Sequence, residues 1–136
     1  MNIVMLLKPK DTIAYIYNDN TIRQALEKMK VHKYTAVPVI DDKGKYVGTV
    51  SEGDFLWHLL ENPDEKGMKG QEKYRIRDIL RKDFNPAVKI SVTMDEVLEK
   101  AMNQNFIPVT DDYGSFIGIV TRRDIIAYFT NGKTNI

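Results

Sequence analysis

One eighteen-residue pattern occurs twice in this chain of 136 residues, and that repetition restricts the possible folds more than any other feature. Residues 37–54, VPVIDDKGKYVGTVSEGD, lie over residues 107–124, IPVTDDYGSFIGIVTRRD, with Pro, Val, Asp-Asp, two Gly, Val, a hydroxyl residue and a final Asp in register. Upstream the likeness continues as TIRQALEKM from residue 21 and TMDEVLEKA from residue 93, with two residues fewer between helix and pattern in the second copy. A sequence that writes one supersecondary unit twice builds two similar halves. A half of about 60 residues is marginally stable alone, so the halves are expected to fold against each other.

Each copy reads as β-α-β-β-α. Asn20-Thr21 caps a helix in which Ile22, Ala25, Leu26 and Met29 recur at i, i+3, i+4 and i+7. YTAVPVI then reads as a strand, DDKG as a turn on Gly44 and KYVGTV as the returning strand. Ser51 caps a second helix carrying Phe55, Leu56, Leu59 and Leu60. In the second copy Thr93 opens the helix of Val97, Leu98 and Ala101, FIPVT and SFIGIV pair across DDYG, and RRDIIAYF closes the unit. An extended piece, TIAYIY or NPAVKI, precedes each copy. The predicted fold is α+β, with repeats over residues 1–60 and 75–136 packed about a pseudo-twofold axis and a polar linker over 61–74. Pro38 and Pro108 suit a sheet edge or bulge, and Gly48 and Gly118 suit a bulge or a close backbone approach.

Charge and composition narrow the function. A net charge of +1, from 20 basic and 19 acidic residues, leaves no electrostatic footprint for nucleic acid or a membrane surface. The absence of cysteine removes thiol catalysis, disulfides and thiolate metal sites. Neither a signal peptide nor an apolar run of spanning length is visible, so a cytoplasmic protein is expected. His32 and His58 have no acidic or cysteine partner at metal-ligand spacing and read as surface or rim histidines; Trp57 reads as packing.

The paired PV.DD.G...G.V(S/T)..D blocks, the helix before each, and RIRDILRKDF at 75–84 resemble the cystathionine-β-synthase (CBS) domain in its tandem arrangement, the Bateman module. The resemblance runs from about Leu7 to Phe129. It implies a regulatory, non-catalytic module that binds AMP, ADP, ATP, S-adenosylmethionine or, in some bacterial members, cyclic di-AMP in clefts between the repeats. It implies no required cofactor or metal, a homodimer, and an effector protein acting in trans. In the family one strand reads the adenine edge while apolar residues of the first extended piece sandwich the ring. Those roles fall on Ile13, Ala14, Tyr34, Thr35 and Ala36.

The residues themselves suit such a ligand. A hydroxyl and a carboxylate three apart at a helix start lie on one turn beside free backbone N–H groups, where an anion is stabilised. Ser51 or Thr121 can donate to a phosphate oxygen, and Asp54 or Asp124 can accept from both ribose hydroxyls. The same four residues also satisfy a capping box, and the two roles are compatible. Arg122 and Arg123 replace Glu52 and Gly53 of the first copy. They suit a ligand with several phosphates or, equally, a solvated helix start. TIAYI, YTAVPV and TRRD together are similar to small stand-alone bacterial proteins that bind cyclic di-AMP. Those often lack an intact hydroxyl-x-x-Asp in the first repeat, whereas SEGD is intact here. A mononucleotide, with the Ser51–Asp54 site the tighter, is therefore the first expectation. The alternatives are a cyclic di-AMP receptor and a ligand-free dimerisation scaffold.

Overall fold

A computed structural model describes residues 2–32, 34–63 and 67–134. The chain divides into two compact units, Ala14–Phe84 and Met1–Ile13 with Asn85–Ile136.

In the first unit, β2 (Ile16–Tyr17) pairs in parallel with β3 (Ala36–Ile40), which pairs antiparallel with β4 (Tyr46–Ser51). Helix α1 (Ile22–His32) starts on a reciprocal cap: the Gln24 N–H donates to Thr21 Oγ1 at 3.2 Å and the Thr21 N–H donates to Gln24 Oε1 at 2.9 Å. Its Ile22, Ala25 and Met29 join Ile16, Val37, Val39, Val50 and Phe55 in one core. Helix α2 (Glu52–Glu61) follows β4 without a break.

The hairpin turns explain the repeated Asp-Asp. The first Asp of each pair caps the turn: Asp41 accepts from the Lys43 and Lys45 N–H groups, and Asp111 from those of Tyr113 and Ser115, all at 2.9 Å. Gly44 and Gly114 supply the positive φ, 82° and 84°, that closes each turn.

The second unit repeats the plan with β5 (Val88–Lys89), α4 (Met94–Ala101), β6 (Phe106–Thr110), β7 (Phe116–Thr121) and α5 (Arg122–Thr134). Its sheet has four strands in the order β1-β7-β6-β5, because β1 (Lys8–Pro9) pairs antiparallel with β7. A bulge lies between Val39 and Ile40 and again between Val109 and Thr110.

The units are not divided in sequence where the repeat alone suggests. The N-terminal segment completes the second unit, burying Ile3 among Val97, Ile107 and Val120. Residues 75–84 complete the first, where Ile76 is fully buried and Leu80 packs against the same core. The expected linker also contains a short helix, α3 (Met68–Lys73), tied to α1 by Arg23 Nη1–Glu72 Oε1 at 2.7 Å. The Tyr74 carbonyl accepts from the Ile22 N–H at 3.1 Å just beyond it. Such polar ties leave no apolar periodicity from which a docked segment can be recognised.

Helix α2 corrects three sequence expectations. Phe55 and His58 are buried, but Leu56, Trp57 and Leu60 are exposed. The helix has apolar residues on two faces and the core takes only one. His58 is no rim residue: its ring lies edge-on to Tyr74 with centroids 4.5 Å apart, and its Nε2 is buried without a hydrogen-bond partner among the described residues.

Candidate functional site

The two hydroxyl-x-x-Asp turns occupy corresponding places at the junctions β4–α2 and β7–α5. A returning strand delivers the hydroxyl residue at its last position, and the helix starting immediately after it brings the Asp back onto the same turn. Locally the two turns are alike, but their carboxylates are held very differently.

In the first unit Asp54 is closed in. Its Oδ2 accepts from the Ser51 N–H at 2.8 Å and from Ser51 Oγ at 3.0 Å. Its Oδ1 accepts from Arg81 Nε at 2.6 Å, and only 4% of the Asp54 side chain is exposed. Arg81 Nη2 reaches Ser51 Oγ at 3.5 Å, and the guanidinium lies 3.6 Å from the centroid of Phe84. Thr35 lies just before β3, short of the strand expected from residue 34, and its carbonyl accepts from the Glu52 N–H at 2.9 Å and so abuts this turn. Tyr34 is exposed and stacks on His32, while Ala14 and Ala36 are half-buried.

In the second unit the carboxylate stays open. The Asp124 N–H donates to Thr121 Oγ1 at 3.1 Å, a plain helix cap. One third of the Asp124 side chain is exposed, and Lys8 Nζ stands 3.5 Å from Oδ2. The two arginines divide in role. Arg122 is committed to the fold, with Nε on the Ala101 carbonyl at 2.7 Å and Nη1 on Asn105 Oδ1 at 2.9 Å. Arg123 is exposed and makes no hydrogen bond or ion pair among the described residues. Thr121, Arg122, Arg123, Asn105 and Ile126 line a shallow cavity of about 430 Å³. Ile13 belongs to this unit and is half-buried.

Two residues of this arrangement went unseen in the sequence: Arg81 and Lys8. The available signal was a shorter repeat. Leu7-Lys8 and Leu80-Arg81 occupy equivalent places, since Leu7 packs at Gly118 and Leu80 at Gly48 while the next residue meets the Asp of the same unit. Among the described residues no group of three or more His, Asp or Glu side chains is placed to hold a metal ion. No described helix is long and apolar enough to cross a membrane.

A family model for the CBS domain matches residues 7–61 and again 76–131. The chain belongs to the CBS domain family. As a tandem CBS pair it is 27% identical to an uncharacterized protein of Methanocaldococcus jannaschii, with 82% of each chain covered. Two further curated relatives are longer: the pair spans 48% of a second protein of that organism and 21% of its inosine-5'-monophosphate dehydrogenase. Among solved structures, the CbpB protein of Listeria monocytogenes in complex with c-di-AMP shares the fold with a TM-score of 0.85, 21% identity and 98% of both chains covered. CBSX2 in complex with AMP shares it with a TM-score of 0.77 and 24% identity, covering 97% of this chain and 98% of its own.

Proposed function

We propose that this CBS pair is a regulatory sensor that binds an adenine nucleotide (AMP, ADP or ATP) and conveys its occupancy to a separate effector protein. The observation that carries the reading is the Thr121–Asp124 turn. Thr121 and the exposed Arg123 at this helix N-terminus line a cavity of about 430 Å³, and the accessible Asp124 carboxylate stands on the same turn. That set offers an acceptor for a ribose diol and donors for phosphate. Ile13, Ala14, Tyr34, Thr35 and Ala36 are the proposed adenosine contacts. Thr121, Arg123 and Asp124 hold the sugar and phosphate beside the fold-bound Arg122, while Ser51 and Asp54, the corresponding pair of the first repeat, are closed by Arg81. The solved relative with AMP supports a mononucleotide. No cofactor is required and no catalytic step is assigned. A ligand drawn from the nucleotide pool implies a cytoplasmic protein.

A second reading, a cyclic di-AMP receptor, draws support from the free Arg123 and from the ligand of the Listeria structure. The homodimer belongs to the proposal as well: Leu56, Trp57 and Leu60 form an exposed apolar face on α2 that a second copy would cover.

Thermal unfolding with AMP, ADP, ATP, S-adenosylmethionine and cyclic di-AMP tests the reading. A ligand at about 100 times its dissociation constant stabilises the native state by roughly 2.7 kcal/mol, a shift of several degrees. A shift with one adenosine compound that Asp124→Ala removes supports the sensor, and the compound names its ligand. An unchanged melting temperature with all five would leave the scaffold reading.

A further inference from the structure

Resting on the nucleotide reading above, we propose that Arg81 is a specificity-determining residue that confines the chain to one nucleotide, bound through Asp124, by occupying the ribose-binding carboxylate of the first repeat. A ribose diol needs a carboxylate that faces solvent with free lone pairs. A carboxylate offers about four acceptor positions. On Asp54 three are filled, by the Ser51 N–H, Ser51 Oγ and Arg81 Nε, and the group is 96% withdrawn from solvent. The guanidinium is itself held, stacked 3.6 Å from Phe84. A nucleotide entering there must first break a charge-assisted hydrogen bond of 2.6 Å.

Asp124 provides the internal comparison. It has the same hydroxyl-x-x-Asp turn and the same lead-in segment, but its cation is a lysine at 3.5 Å and its oxygens hold no hydrogen bond among the described residues. A lysine ammonium is a point charge on a flexible stem and can move aside, whereas the planar arginine fork is pre-organised against a carboxylate. The identity of one residue, Lys8 or Arg81, therefore decides which of two otherwise matching turns is available to a ribose.

Calorimetric titration with AMP and with cyclic di-AMP, on the wild type and on Arg81→Lys, Arg81→Met and Asp124→Ala, tests this. Circular dichroism melting establishes that each variant is folded. Arg81→Lys copies the Lys8 arrangement and keeps the charge, so it remains informative should Arg81→Met fail to fold. The wild type is expected to take one equivalent per chain, with affinity falling at least about tenfold in Asp124→Ala, as for lost hydrogen bonds to a charged acceptor. The Arg81 variants are expected to take two. Two equivalents on the wild type, or one on a folded Arg81→Lys, would overturn the role of Arg81 and leave the nucleotide reading standing. Binding by the Arg81 variants alone would uphold that role and remove the native sensor. No binding by any of the four proteins, together with no thermal shift from ADP or ATP, overturns both.

Discussion

Arg81 lies 27 residues beyond Asp54 in sequence, yet its Nε sits 2.6 Å from the Asp54 carboxylate and makes the shortest ion pair described in the protein. The pair joins the N-terminus of α2 to the segment that leaves the first unit. It converts a turn with the pattern of an open ligand site into a closed structural joint, while its counterpart at Lys8 and Asp124 stays loose.

The two pairs should differ in what they contribute to stability. Arg81→Met leaves a buried carboxylate with only its Ser51 donors. Arg81 is itself half exposed, which places the cost below the full penalty for breaking a buried pair, at about 1–3 kcal/mol. Lys8→Met removes an exposed and distant partner and should cost no more than about 0.5 kcal/mol. Urea unfolding of the two variants measures the difference; equal costs would mean that the short pair is no stronger than the long one.

Gly48 and Gly118 share nearly the same φ, 158° and 156°, so backbone strain on substitution is common to both. Their surroundings are not. A Cβ on Gly118 would stand 2.2 Å from the Lys8 carbonyl oxygen, part of the β1 backbone, whereas one on Gly48 would meet the mobile end of Leu80 at 3.2 Å. Gly118→Ala should therefore destabilise by about 2 kcal/mol more than Gly48→Ala, in the range of overpacking penalties. It should also expose the Lys8 and Pro9 amide region to solvent. Unfolding curves with hydrogen exchange at Lys8 test both parts.

The Asp41 turn carries a pH dependence. The Lys45 N–H above all, with the Lys43 N–H, holds the Asp41 carboxyl below its ordinary range, and partial desolvation opposes the shift. Because the folded-state pKa is the lower one, this contribution is fully present above the unfolded value of about 3.9 and is lost as pH falls through the folded value. Wild type should exceed Asp41→Asn in stability at neutral pH, with the gap closing only in acid. A gap independent of pH would remove the charge from the explanation.

Trp57 is 65% exposed beside Leu56 and Leu60, so Trp57→Glu should leave the unit folded. In a homodimer joined through this face it should produce monomers, since a charge there has no partner and must be desolvated. Sedimentation velocity decides the point, and an unchanged assembly would move the interface elsewhere.

The sequence by itself determined the local architecture. Helix faces, caps at Thr21 and Thr93, hairpins closed on Gly44 and Gly114, and the twofold recurrence of the whole unit are set by neighbours a few residues apart, and these leave a periodic trace. The pairing of Ser51 with Asp54 and of Thr121 with Asp124 was legible for the same reason, since each pair shares one helical turn. Tertiary structure decided the rest: that β1 completes the sheet of β7, that Ile76 enters the first core, and that Arg81 closes Asp54 while Lys8 leaves Asp124 open. It also chose which of the two apolar faces of α2 is buried. Those choices depend on contacts between segments far apart in the chain. An arginine facing solvent and an arginine over a buried carboxylate are written with the same letter.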